Sequence, residues 1–131
     1  MIGCEICEDL WVAEPPSTSH ALAGATVIAN LSASNETVSK DDYRMLLVKS
    51  ASARLLCGYI YTSAGEGEST QDLVFGGHDL IAENGTLLVQ SARFTTGILY
   101  TDLDVLKISS ERRRMGTFGK RPMKPYLTVP F

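Results

Sequence analysis

No apolar run in this 131-residue chain approaches the roughly 20 residues that a membrane-spanning helix requires. There is no excess of basic charge: 12 Lys and Arg stand against 15 Asp and Glu, for a net charge of −3, which argues against a general affinity for nucleic acid. The first residues show no basic segment followed by an apolar one, so no signal peptide is expected. Cysteine is scarce and odd in number, with only three, so no disulfide framework is expected and reduced thiols in the cytoplasm fit best. The two histidines, His20 and His78, have no sequence partner that suggests catalysis; a helix cap and a strand surface are the expected places. Cys4 and Cys7 form a C-x-x-C, with Cys57 and His78 as conceivable further ligands, but the second C-x-x-C of a zinc site is missing. On a strand two side chains three apart face opposite ways, and a redox C-x-x-C opens a helix, which Pro15 and Pro16 delay here. No metal site is expected. The Gly65-Glu66-Gly67-Glu68-Ser69-Thr70 loop lacks the Gly-Lys-Ser/Thr of a phosphate loop and carries two acids that repel phosphate, so it reads as a turn near a pocket rim.

What is present is enough apolar matter, 44%, for one α/β domain. Gly3 to Ile6 reads as a buried strand. Pro15-Pro16-Ser17 breaks the chain and starts a helix, with Ser17 or Ser19 as cap and Gly24 as stop. Ala25 to Leu31 is a β-branched, apolar run suited to a strand covered on both faces. Asp41 to Leu56 is the longest helix candidate, with Tyr43, Leu46, Leu47, Ala51 and Leu55 as its apolar stripe. Cys57 to Thr62 is strand-like again, and the βαβαβ order implies parallel strands. The second half changes to short strand candidates at Leu73–Phe75, His78–Ala82, Leu87–Gln90 and Ile98–Leu103, with Asn84-Gly85 as a two-residue hairpin turn. Val105 to Arg114 reads as a short helix.

The stretch with most chemistry is Gly3-Cys4-Glu5-Ile6-Cys7-Glu8-Asp9-Leu10-Trp11. A thiol nucleophile is usually presented at the end of a buried strand, on a sharp turn with exposed backbone N–H groups behind it. The bland alternative is a buried structural cysteine, but Glu8 and Asp9 are poor core residues and suit a chain surfacing into a pocket. Ser32-Ala33-Ser34-Asn35-Glu36 follows the next strand, where polar residues at the carboxyl end of a parallel sheet line the ligand crevice or cap a turn. Lys40 opens the following helix, where a cation opposes the helix dipole unless an anion lies nearby.

Glu5-Ile6-Cys7-Glu8-Asp9-Leu10-Trp11 closely resembles the nucleophile motif of the nitrilase, or carbon–nitrogen hydrolase, superfamily, and within it the glutaminase domain of glutamine-dependent NAD synthetases. Further blocks carry the same resemblance in order: Ala29 to Glu36; Lys40, Tyr43-Arg44 and Ser52-Ala53-Arg54; Tyr59-Ile60-Tyr61 with Ser63 to Thr70 and Asp72 to Phe75; Glu83-Asn84-Gly85; and Arg114 to Phe118. The resemblance implies part of an α-β-β-α sandwich, with a parallel βαβαβ first half and antiparallel hairpins after it. It implies hydrolysis of glutamine through a Cys7 thioester, with the Glu8 N–H on the oxyanion, and Glu8, Ser34 and Lys40 on the amino-acid head group. It implies glutamine as substrate, homo-oligomerisation, no cofactor for the glutaminase half, and ATP and Mg in a separate synthetase domain. That family also uses an upstream Glu and Lys and a downstream Ser-Gly-Gly-x-Asp-Ser motif, none of which has a counterpart here, and Ser39 stands where the family usually has Gly. The chain is thus expected to be the back part of an amidase domain over residues 1–110, inactive alone, whose partners are the N-terminal half of that domain and a synthetase domain. A non-catalytic binding or assembly module with an idle Cys7 is the alternative. Residues 111–131, with Arg112, Arg113, Arg114, Lys120, Arg121, Lys124 and three prolines, read as a basic linker toward that synthetase domain.

Overall fold

The computed structural model describes residues 1–119, 126, 127, 129 and 130. Five strands make one mixed sheet in chain order: β1 (Ile2–Ile6), β2 (Val27–Ser32), β3 (Gly58–Ser63), β4 (Leu80–Glu83) and β5 (Thr86–Gln90). The first three are parallel and the last three antiparallel to their neighbours in turn. The parallel strands are joined through α1 (Pro16–Leu22) and α2 (Lys40–Leu55), because parallel neighbours need a crossover. A third helix, α3 (Val105–Arg114), follows the sheet. The architecture is the α/β one expected, down to the switch from parallel to antiparallel pairing.

Local chemistry explains most boundaries. Pro15 sits in extended backbone as the cap of α1 and Pro16 occupies its first turn, where a missing N–H costs nothing. Neither Ser17 nor Ser19 caps the helix; the Ser17 N–H is taken instead by the Glu5 carboxylate at 2.8 Å. Gly24 stops the chain at φ +108°. Asn84 and Gly85, at φ +46° and +87°, turn β4 into β5, which only such residues do cheaply.

The register sorts the sheet into two unlike faces. Gly3, Ile28, Tyr59 and Ala82 lie side by side on one face and are all buried. This face is covered by α1 and α2: a Cβ on Gly3 would lie 2.8 Å from the His20 Cβ of α1. Leu10, Val48, Leu55 and Leu80 complete the core here. On the other face, paired Ile6 and Leu31 are 68% and 57% exposed, and Ile2 is also exposed. β1 and β2 are therefore not covered on both faces, contrary to expectation. The Gly58 end has a lid, where Leu103 comes within 2.7 Å of where a Cβ would stand. Residues 98–103 pass over that spot without pairing and form no strand; Ile98 and Tyr100 remain exposed. Leu73–Phe75 is likewise not a strand, and contributes a single bridge, Asn35 to Phe75.

The buried side of α2 also differs from the apolar stripe. Arg44, Val48, Ala51, Ser52 and Leu55 face inward, while Tyr43 and Leu46 are exposed. Polar Arg44 and Ser52 displace apolar neighbours because each finds partners inside, Ser52 accepting the Gly85 N–H at 2.9 Å. Arg112 of α3 ties the helix ends together. Its guanidinium donates to the Leu56 and Leu55 carbonyls at 2.8 and 2.9 Å and lies 4.8 Å from the Phe118 ring. Lys120, Arg121 and Lys124 of the basic segment lie outside the described residues.

Candidate active site

β1 ends at Ile6, and Cys7 takes φ +50°, a conformation that costs a non-glycine residue energy and is kept where surrounding structure enforces it. A single 3₁₀ turn, Cys7–Trp11, follows. It is held from below by buried Leu10 and from the side by the Ile6 N–H, which donates to the Asp9 carboxylate at 2.7 Å. The strained residue is thus the thiol itself, at the mouth of a cavity of about 340 Å³. Cys7, Glu8, Trp11, Ser34, Asn35 and Lys40 line it. The carboxyl ends of two adjacent parallel strands bring them together: β1 delivers Cys7 and Glu8, and β2 delivers Ser34. All four residues singled out in the sequence meet here.

Each has a definite setting. Ser34 is buried; its N–H donates to Ser63 Oγ at 3.3 Å and its Oγ accepts from Arg44 Nη2 at 3.4 Å. Lys40 Nζ donates to Asn35 Oδ1 at 2.6 Å and stands 5.4 Å from the Trp11 ring centre. Trp11 in turn packs on Tyr43 at 5.3 Å between ring centres. Glu8 is exposed. The Gly65–Thr70 loop, expected at the rim, does not line this cavity. Its glycines serve packing and the turn instead: a Cβ on Gly65 would lie 3.1 Å from the Gly77 Cα, and Gly67 stands at φ +86°.

Behind the pocket lie two buried polar groups that sequence reasoning missed. Arg44 is fully buried, donates to Glu36 Oε1 at 2.9 Å, and has His78 Nδ1 at 3.0 Å. His78 is therefore not at a strand surface: it is buried ahead of β4, because the guanidinium supplies the hydrogen its Nδ1 accepts. Burial, with the nearby Arg44 charge, holds the His78 pKa below its ordinary value. The second group joins Glu5, Tyr59 and Asn30 beneath Cys7. Burial and the bond to Glu5 keep Tyr59 protonated. A buried Glu in an alternating strand was the only visible signal for either group.

The other thiols differ from Cys7 in their surroundings. Cys57 is buried and its thiol is pushed up to about 12, so it stays protonated. Cys4, expected inside an apolar strand, is exposed on the open sheet face. A larger cavity of about 480 Å³ opens between α1, the end of α2 and residues 115–119, lined among the described residues by Glu14, Arg54, Thr18 and Thr117 but by no cysteine, serine or histidine. Among the described residues no cluster of His, Cys, Asp and Glu has the arrangement of a metal site, and no helix is long and apolar enough to cross a membrane.

A cysteine on a strained turn, at the carboxyl end of a parallel sheet, is the arrangement to compare with known proteins. Residues 1–113 match the carbon-nitrogen hydrolase family. The chain belongs to that family. It is 54% identical over 120 residues to the glutamine-dependent NAD(+) synthetase of Mycobacterium tuberculosis, covering 90% of this chain and 18% of that protein. Among solved structures, the glutamine-dependent NAD(+) synthetase of Cytophaga hutchinsonii is 35% identical, with TM-score 0.59 over 70% of this chain and 14% of the other. The carbon-nitrogen hydrolase of Helicobacter pylori shares the fold at TM-score 0.75 and 18% identity, over 92% of this chain and 45% of that one. The chain thus spans about a fifth of the length of the mycobacterial relative and less than half of a nitrilase-superfamily fold.

Proposed function

We propose that Cys7 is the nucleophile of a glutaminase that supplies ammonia for ATP-dependent NAD synthesis. The observation that carries this is the convergence of Cys7, Glu8, Ser34 and Lys40 on one cavity at the strand ends. In the reaction, the Cys7 sulfur attacks the side-chain carbonyl carbon of glutamine. A C–S bond forms, the carbonyl electron pair moves to oxygen, and the Glu8 N–H receives that oxyanion. The general base carries the thiol proton to the amide nitrogen; collapse then breaks the C–N bond, expels ammonia and leaves a thioester, which water cleaves to glutamate and free thiol. Lys40 and Ser34 suit the α-carboxylate of glutamine, and the Glu8 side chain suits its ammonium. Cys7→Ala therefore should abolish ammonia release from glutamine in any preparation that shows it; release that persists would sink the assignment.

The general base and the oxyanion cation are assigned to residues outside this sequence, on a layer packed against the open face bearing Ile6 and Leu31. Loss of general-base help costs about 10²–10⁴ in rate, so the 131-residue chain alone should turn over no glutamine until the N-terminal half of the amidase is supplied. Steady turnover by the isolated chain would overturn this division of labour. In the chain on its own, the uncovered face also favours association into oligomers. ATP and Mg belong to a separate synthetase domain, reached through residues 111–131. The Gly-rich loop here presents Glu66 and Glu68 and does not fit nucleotide phosphate. The free thiols favour a cytoplasmic setting.

A further inference from the structure

Cys7 and Glu8 share one peptide plane, and something must hold that plane for the Glu8 N–H to face a developing oxyanion. A trans peptide is planar, and its C=O and N–H point in opposite directions. A bond to the Cys7 carbonyl from beneath therefore turns the Glu8 N–H the other way. As the second N–H of the 3₁₀ turn, that N–H has no acceptor within the turn.

The group beneath is Asn30, 1% exposed on β2. Its Nδ2 reaches the Cys7 carbonyl at 3.5 Å and Tyr59 Oη at 3.3 Å, while its Oδ1 accepts from Ser32 Oγ at 2.7 Å. The amide cannot turn over. The Cys7 carbonyl only accepts, and Tyr59 Oη has committed its hydrogen to Glu5, so both must face the NH₂ end. Glu5 is in turn fixed by the Ser17 N–H. A buried asparagine with every hydrogen bond assigned is a rigid prop.

We propose that Asn30, oriented by Tyr59 and Glu5, is a positioning residue that sets the Cys7–Glu8 peptide plane and thereby aims the oxyanion donor. This rests on Cys7 being the nucleophile. Two reactions of one thiol separate aim from nucleophilicity. Iodoacetamide is attacked by sulfur at its saturated carbon, iodide leaves, and no oxyanion forms. With p-nitrophenyl acetate the sulfur attacks the carbonyl carbon, an oxyanion forms, and p-nitrophenolate leaves behind a thioester.

Both rates are measured on the 131-residue chain in a Cys4→Ser background, where buried Cys57 is silent. Removing a whole oxyanion donor costs about 10²–10³ in rate. Misaiming it by Asn30→Ala should slow acylation by roughly tenfold or more and leave alkylation within about twofold. Tyr59→Phe, which frees the amide but keeps the packing, should shift the same ratio in the same direction by a smaller factor, and it decides the matter if circular dichroism shows Asn30→Ala unfolded. Equal loss of both reactions, or an unchanged ratio in the folded variants, would overturn the role of Asn30. Labelling by both reagents that survives Cys7→Ala would instead remove the nucleophile itself, and the proposal with it.

Discussion

Replacing Arg44 by Met tests whether the buried ion pair behind the pocket organises the Ser34–Glu36 segment. The Arg44 side chain is fully buried and its partner Glu36 is 7% exposed. Met keeps roughly the stem length and removes the charge. Glu36 would keep only Arg93, 3.7 Å away and 41% exposed, and His78 Nδ1 would lose its donor. Breaking a buried pair on one side costs about 3–5 kcal/mol, most of it from the charge left behind. With a urea m-value of about 1–3 kcal/mol per molar, the unfolding midpoint should drop by at least about 1 M. The double variant Arg44→Met, Glu36→Gln removes the stranded charge as well. It should recover a large part of the loss, since replacing both partners of a buried pair is often close to neutral. Urea unfolding followed by circular dichroism reads both numbers. A single-variant loss under about 1 kcal/mol, or a double variant no more stable than the single, would show that Glu36 is not held by Arg44 in solution.

Two further outcomes follow from backbone strain and from burial. Ser39 stands at φ +61°, a region that costs a side chain roughly 1–2 kcal/mol, so Ser39→Gly should raise stability by about 0.5–1 kcal/mol after glycine's extra chain entropy is subtracted; a loss in urea unfolding would contradict the left-handed cap. His78 is held neutral when folded, whereas the unfolded chain binds that proton from about pH 6.5 downward, so stability should fall as pH drops below that point. His78→Gln should flatten the fall between pH 7 and 5, and an equally steep profile in the variant would place the sensitivity elsewhere.

Sequence alone determined a great deal here, because the signals were local. Apolar β-branched runs, the prolines ahead of α1, Gly24 and Asn84-Gly85 each act within a few residues of themselves, and the sheet formed where they pointed. The same holds for the residues around the cavity: Cys7 and Ser34 both follow parallel strands, and parallel neighbours deliver their carboxyl ends to one edge. Ser39 shows the same locality, since a position where the family usually has Gly lies at positive φ. Only tertiary structure decided which polar groups go inside. Arg44, His78, Asn30 and Glu5 look like surface residues one at a time, and become buried because each completes another's hydrogen bonds across 8 to 54 residues of chain. Tertiary structure also overruled periodicity. The face of α2 was set by where Arg44 and Ser52 find partners, and Ile98 to Leu103 stayed unpaired because Leu103 is used as a lid on Gly58. Apolar character marks a residue as wanting cover; only the assembled sheet shows that Ile6 and Leu31 stay exposed among the described residues.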